Sequence, residues 1–283
     1  ESCRPLGVPY ELVVVNDGST DGTLPRLVEA SRSVPELRVV DLFRNFGHMA
    51  ALSAGLETAK GRGIVVMDGD LQDPPEVIPA MVKEWKAGAD VVYGQRTPRG
   101  ESLPQRLLTR LFYSLLQRTA GVRIPKQAGT FCLLDRRAAD LLRAMPERNR
   151  FFAGLRAWVG GKQAFVSYER PRRSHGKSRV GARGLVKLGL LALVSFSKVP
   201  LRYASLLSLV CGLVLFLVGS WAIVVRLFTR LAIPGWATST ALIGMMGFVQ
   251  SIVLAVLSEY IAQIFDEIKR RPLYLVRDEF TGG

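Results

Sequence analysis

The sequence predicts an α/β domain with a mostly parallel sheet and helices on both faces. An interfacial amphipathic helix and a hairpin of two transmembrane helices are predicted to follow. Three observations lead there. Residues 1–165 alternate short apolar runs with helix-like segments, as strands buried on both faces do. Tyr203–Val225 and Trp236–Ser258 are two stretches of 23 residues without a charge. Polar clusters stand at the ends of the first four apolar runs.

The elements follow in order. Leu12–Asn16 reads as a strand stopped by Asp17-Gly18, and Leu24–Ser33 as a helix. Leu37–Phe43 is the next strand, followed by a helical period over Gly47–Lys60 that breaks at Gly61. Ile64–Met67 is a strand ending in Asp68-Gly69-Asp70. Pro75–Ala87 is a helix with proline near its start, and Asp90–Gly94 a fourth strand. The expected division is an α/β domain at 1–165, a basic loop and amphipathic helix at 166–200, the hairpin at 201–258 (spans 203–225 and 236–258), and a C-terminal helix and tail at 259–283.

Composition narrows the class. The 283 residues carry 38 Lys and Arg against 24 Asp and Glu, a net +14, with 48% hydrophobic residues. With a pI near 10.2 and a mean hydropathy of +0.20, this is neither a disordered chain nor an ordinary soluble domain. The scattered cysteines Cys3, Cys132 and Cys211 argue against a disulfide framework or a zinc site and suit a reducing compartment. At about 1.5 Å per residue, each uncharged stretch is long enough for a hydrocarbon layer of about 30 Å. The short connection Arg226–Gly235 makes them a hairpin with both flanks on one side. Those flanks hold Lys177, Arg179, Arg183, Lys187, Lys198 and Arg202 before the spans, and Lys269, Arg270, Arg271 and Arg277 after them. Only Arg226 and Arg230 lie between, so most of the chain, including the α/β domain and both termini, is predicted to be cytoplasmic. Gly181–Lys198 reads as an amphipathic helix on the inner leaflet, and Glu259–Arg271 as a helix leaving the bilayer and stopped by Pro272.

In an open parallel sheet, ligands bind at the carboxyl ends of strands. Asn16-Asp17-Gly18-Ser19, Arg44-Asn45-Phe46-Gly47, Asp68-Gly69-Asp70 and Gln95-Arg96 all stand at such ends. Asp68 and Asp70 have the oxygen ligands that Mg²⁺ or Mn²⁺ takes alongside a diphosphate, although the same residues make an acidic turn in water. Ser19, Thr20 and Asp21 suit a helix cap, which leaves Asn16 and Asp17 free for a ribose or base. Arg44 and Asn45 can bind a ligand or brace a helix start. Arg170–Arg183 holds seven basic residues, counting His175, and no acid. Gly176-Lys177-Ser178 within it is no Walker loop, since Pro171 stands where glycine is needed. The segment is an anionic-lipid patch or a phosphate clamp. Nucleic acid is disfavoured, because no aromatics interleave with the charges. His48 is expected to be a hydrogen-bond donor at a helix start.

Taken in order, VVVNDGSTDGT, LFRNFGHMAALSAGLETAKG, VVMDGDLQDPPEVI, DVVYGQR, LLDRR, ERNRFFAGLRAWVG and the GKS-containing basic stretch resemble a known family. They are similar to the polyprenyl-phosphate glycosyltransferases of inverting glycosyltransferase family 2, which include dolichyl-phosphate mannose synthases and bacterial undecaprenyl-phosphate glucosyltransferases. The resemblance implies a GT-A fold that moves a sugar from a nucleotide-sugar to a polyprenyl phosphate, with Mg²⁺ or Mn²⁺ as cofactor and membrane lipids around it. Asp17, with Gly18 beside it, would contact the nucleoside. Asp68 would help hold the donor and, with Asp70, the metal. Gln72 and Arg96 would line the sugar and phosphate site, while Arg170, Arg173, Lys177 and Ser178 would meet diphosphate or lipid phosphate. Close approach at Gly212 and Gly219 allows a homo-oligomer.

Two departures stand out. The family carries an earlier strand and helix with a Pro-x-Tyr-Asn-Glu motif, whereas this chain begins with Glu1, just before the strand that comes second. It therefore reads as a fragment or a mis-started product with an uncovered sheet edge and half a base pocket. Secondly, Gly129-Thr130-Phe131-Cys132 replaces a Gly-Asp-Phe-Arg pattern that holds a candidate base. The acceptor phosphate has a second pKa of about 6 and is already anionic at neutral pH, so positioning matters more than deprotonation. Thr130 is accordingly placed in the catalytic site with Asp70 and Arg96, though not as a base. A processive polysaccharide synthase is disfavoured, since no Trp follows an Arg and two spans are too few for a channel. The remaining alternative is a membrane-anchored nucleotide-sugar-binding or scaffold protein without turnover.

Overall fold

The computed structural model describes residues 3, 6–70, 72–97, 125, 128–148, 150–169, 199–228 and 235–282. The expected interfacial helix at 181–198, the basic segment 170–183 and residues 229–234 of the connecting loop lie outside them.

Strand β1 (Leu12–Asn16) pairs in parallel with β2 (Leu37–Leu42), in register from Leu12↔Leu37 to Asn16↔Asp41. Helix α1 (Thr23–Ser33) forms the crossover between them, and α2 (His48–Thr58) leads on to β3 (Gly63–Val66). A 3₁₀ turn at Pro75–Val77 opens α3 (Ile78–Lys86), which precedes β4 (Val91–Arg96). Beyond a long connection come β5 (Ala128–Asp135), α4 (Arg136–Ala144), α5 (Phe152–Val159) and β6 (Gln163–Tyr168). The chain ends in the long helices α6 (Val199–Phe228) and α7 (Trp236–Ile268) and a last strand, β7 (Val276–Thr281).

The strands form two sheets, ordered β1-β2-β7 and β3-β5-β4-β6. Two pairings are parallel, β1–β2 and β4–β6, while β5 runs against β3 and β4 and β7 runs against β2. The sheets are thus more mixed than buried apolar runs alone imply, because the antiparallel strands come from later parts of the chain. Helices cover both faces. Val91, Tyr93, Cys132 and Leu134 pack with α4 and α5 through Ala138, Ala139, Leu142 and Leu155. The alternate residues Val92, Phe131 and Leu133 pack with Ile78 and Met81 of α3 on the opposite side. This period of two with both sides apolar is why the strands read as continuous hydrophobic runs. The architecture is the expected GT-A-like α/β fold followed by a helical hairpin. Strands β1 and β3 each lie at the end of a sheet. Their starts are stitched by Glu11, whose carboxylate accepts the N–H groups of Lys60 (2.5 Å) and Gly61 (2.9 Å).

Helices α6 and α7 pack on each other and contain stretches, Leu201–Val218 and Leu242–Ile268, long and apolar enough to cross a membrane. Large apolar side chains such as Leu209, Phe216 and Ile243 face outward. The segment expected to leave the bilayer as a further helix is the last part of α7, which ends at Ile268. Arg270, at φ 47°, turns the chain before Pro272. The tail then returns to the α/β domain. The backbone N–H of Arg148 donates to Glu267 Oε1 (2.8 Å), Tyr274 OH donates to Glu57 Oε2 (2.5 Å), and β7 adds to the free edge of β2.

Candidate active site

The loops after β1 and β2 are built against each other. The carboxylate of Asp17 accepts the backbone N–H groups of Phe46 (2.7 Å, Oδ1) and Gly47 (2.9 Å, Oδ2), just before α2 starts. Asn16 Nδ2 donates to Asp41 Oδ1 at 2.7 Å in a buried contact, and Asn16 Oδ1 accepts Ser19 N–H at 3.4 Å. Asn16 and Asp17 are therefore not idle, as the expectation of a free pair for ribose or base has it; the facing loop and strand supply their partners. Between them and the cap residues, Gly18 adopts φ +63°, and a Cβ there would sit 2.3 Å from the carbonyl carbon of Arg44. Only glycine lets the two loops approach this closely. The Arg44 guanidinium stacks on Phe46 at 4.2 Å from the ring centroid.

The end of β3 meets the start of α2 and the middle of β5. His48 is the first residue of α2, and its Nε2 lies 3.4 Å from Thr130 Oγ1 and 3.7 Å from Asp68 Oδ1. Burial pushes the Asp68 pKa up. His48 and Arg96 pull it down, whereas the carboxylates of Asp73 and Asp70 push it further up. Asp70 Oδ1 accepts the N–H of Gln72 (3.1 Å), closing the turn that follows the strand. The sequence placed His48 at a helix start; the structure adds that its ring bridges two candidate site residues.

A second polar group supports Arg96. Asp73 is fully buried and accepts the hydroxyl of Tyr168, which in turn accepts Arg96 Nε at 3.3 Å. Arg96 Nη2 lies 3.6 Å from Asp73 Oδ1. Burial, then the hydrogen bond to Asp73, pushes the Tyr168 pKa up to about 12, so the phenol stays a donor. A Cβ at Gly129 would lie 2.6 Å from Arg96 Nη2, so this glycine makes room for the guanidinium. Beneath Thr130, Arg156 is 0% exposed. It donates to the carbonyls of Gly129 (2.5 Å) and Thr130 (3.4 Å) and lies over the rings of Phe152 and Tyr93.

Asp17, Gly18, Asp68, Asp70, Gln72, Arg96 and Thr130 all lie on strand ends or the loops that follow them, apart from Thr130, which is within β5. Arg170, Arg173, Lys177 and Ser178 fall outside the described residues. Sequence reasoning passed over Asp73, Tyr168 and Arg156. Asp73 lay inside a quoted motif, but nothing local marked Tyr168 as its partner.

The acidic group is suited to a hard divalent ion. Asp68 Oδ1 is buried without a hydrogen-bond partner among the described residues, and the nearby carboxylates repel it, so a cation would relieve a standing cost. Among the described residues, no group of three or more His, Cys, Asp or Glu is arranged to enclose an ion. Substrate phosphate and water would have to complete the shell, as is usual for Mg²⁺.

Residues 3–142 match the family described as Glycosyl transferase family 2. Relatives extend the similarity over the hairpin and tail. An uncharacterized glycosyltransferase of Synechocystis sp. is 38% identical over 279 residues, 98% of this chain and 88% of that protein. A prophage bactoprenol glucosyl transferase homolog of Escherichia coli is 37% identical over 94% of this chain and 88% of its own length. The bactoprenol glucosyl transferase of Shigella phage SfII is 36% identical over 97% of this chain and 90% of its own length. The chain belongs to glycosyltransferase family 2, whose members are in general dependent on a divalent metal.

Proposed function

We propose that this glycosyltransferase moves a hexose from a nucleotide-sugar to a polyprenyl phosphate at the cytoplasmic face of a membrane, with inversion at the anomeric carbon. The observation that carries the reading is the convergence of Asp68, His48, Thr130 and Arg96 in one polar cluster, in a chain whose later helices are long and apolar enough to cross a membrane. Near full-length similarity to bactoprenol glucosyl transferases supports the acceptor class and makes glucose the first sugar to test.

In the reaction, an oxygen of the lipid phosphate forms a bond to the anomeric carbon while the bond to the donor diphosphate breaks. The nucleoside diphosphate leaves with the electron pair. Since the acceptor is anionic at neutral pH, the chain's task is alignment and charge stabilisation. Thr130 and His48 hydrogen-bond the acceptor phosphate, with Arg156 fixing the β5 backbone from below. Arg96, held by Tyr168 and Asp73, faces the donor diphosphate. Asp17 and Gly18 shape the nucleoside end, and Gln72 lines the sugar. Asp68 and Asp70 are the residues that would hold Mg²⁺ or Mn²⁺, which when bound supplies positive charge to the leaving diphosphate. Arg170, Arg173, Lys177 and Ser178, from the basic stretch that precedes the hairpin in sequence, would meet diphosphate or lipid phosphate. The cytoplasmic placement of domain and termini rests on the Lys and Arg excess outside the hairpin.

The test is transfer of radiolabelled sugar from a panel of UDP- and GDP-sugars to undecaprenyl phosphate in membranes, with Mg²⁺, Mn²⁺ or EDTA. Metal-dependent labelled lipid that disappears in Asp70→Asn supports the reading. Retained UDP binding with no labelled lipid from any donor overturns it in favour of a scaffold.

A further inference from the structure

The C-terminal strand lies beyond residues 3–142, which match the glycosyltransferase family, yet it is built into the part of the domain nearest the donor loop. Its pairing with β2 is regular from Arg38↔Thr281 to Asp41↔Asp278 and then shifts, since Leu42 faces Val276. Arg277 is the extra residue of this bulge. A bulge re-aims a side chain that the regular pleat would send elsewhere. Here the guanidinium of Arg277 points to the Asp41 carboxylate, with Nη1 at 3.6 Å from Oδ2, while Nη2 donates to Phe43 O (2.5 Å).

Asp41 is 1% exposed, and its Oδ2 has no hydrogen bond among the described residues. Its other oxygen holds the amide of Asn16, whose own oxygen receives Ser19 N–H. A continuous polar chain therefore runs from the tail strand through β2 to the turn that carries Asp17 and Gly18. A buried carboxylate is tolerated only when paired, and among the described residues the cation that pairs with Oδ2 comes from beyond the second long apolar helix.

We propose that Arg277 is a positioning residue for the donor nucleotide-sugar. By neutralising Asp41 it keeps Asn16 in place, and thereby sets the turn Asn16–Ser19 against the loop 44–47. This rests on the reading of that turn as part of the donor site. Removing the guanidinium leaves a buried charge that turns toward water and releases the Asn16 amide. The donor pocket then loosens, while the acceptor side at Thr130 keeps its own support from Arg156.

The experiment is steady-state transfer from UDP-glucose to undecaprenyl phosphate by the full chain in membranes. The variants are Arg277→Ala, Arg277→Lys, Asp41→Asn, Arg277→Ala with Asp41→Asn, and Asp17→Ala. Arg277→Ala is expected to raise the donor KM about tenfold, with kcat and acceptor KM changed by less than about twofold. Arg277→Lys recovers part of the loss. Asp41→Asn added to Arg277→Ala recovers most of it, because a neutral amide still accepts from Asn16 and needs no cation. An unchanged donor KM in Arg277→Ala, an equal effect on both substrates, or no rescue by Asp41→Asn overturns the proposal. Should Arg277→Ala fail to accumulate, the same criteria apply to Arg277→Lys and the double variant. Asp17→Ala separates the two levels. A raised donor KM there with none in Arg277→Ala sinks the role of Arg277 alone, whereas silence in both sinks the donor-loop reading as well.

Discussion

Gly18→Ala tests whether the donor turn depends on close backbone packing. The residue sits at φ +63°, a conformation that costs an L-residue about 1–2 kcal/mol. The new Cβ would also lie 2.3 Å from Arg44 C, 2.4 Å from Asn45 N and 2.8 Å from Arg44 Cα. These are backbone atoms, so no side-chain rotation relieves the contact, and overpacking of this kind costs about 1–3 kcal/mol. The sum is about 2–5 kcal/mol. At roughly 2–4 °C per kcal/mol for a domain of this size, Tm in detergent should fall by about 4–20 °C. The separation of the two loops should also weaken the bonds from Phe46 and Gly47 to Asp17 and raise the donor KM more than the acceptor KM. Thermal unfolding with intrinsic fluorescence, run beside donor-dependent kinetics, measures both. A variant that melts within a degree or two of the parent and keeps its donor KM would show that these loops separate freely, and the packing argument would fail.

Gly69→Ala is the contrasting case, since a Cβ there meets nothing within 4 Å among the described residues and the φ is ordinary. Its Tm should stay unchanged while turnover falls, if donor phosphate approaches the backbone between Asp68 and Asp70; full activity would refute that approach. Asp68→Asn should raise Tm in EDTA at neutral pH. A carboxyl whose folded pKa is raised above its unfolded value of about 3.9 costs stability once pH climbs past that value, and the cost is complete above the folded pKa. The Tm difference should therefore vanish in acid, and metal-dependent transfer should drop by roughly a hundredfold. Lower stability than the parent in EDTA would contradict the burial argument. Arg156→Met removes a buried donor to the carbonyls of Gly129 and Thr130 and should cost about 2–4 kcal/mol in unfolding experiments, with a fall in kcat that Arg156→Lys partly restores.

Much of the scaffold was legible because its signals are local. Strand β1 falls on Leu12–Asn16 as the apolar run indicates, and β2, β3 and β4 are displaced by no more than two residues at either end. Polar clusters at those strand ends are the residues that the loops bring together in the candidate site. Strand β5 was harder to see: its sequence AGTFCLLD is apolar in one half only and follows a long connection. His48 illustrates a different limit. A helix start can be read from the Gly47 preceding it, but the direction of a first-turn side chain depends on what stands opposite, and Thr130 is 82 positions away. Asp73 and Tyr168, which together hold Arg96, are 95 positions apart.

The sequence by itself determined the two-sided burial of the strands, the carboxyl-end polar clusters and the hairpin of two long apolar helices. Each follows from residue type at short spacing, where hydrophobic period and turn chemistry act on neighbouring atoms. Only the tertiary structure decided that VRDEFT, with three charges in six residues, is a strand. Val276, Phe280 and Thr281 suit a strand, but the three consecutive charges between them break the alternation that would mark one. What makes it one is the unpaired edge of β2, whose N–H and C=O groups need partners, and the buried Asp41, which draws Arg277 to that edge.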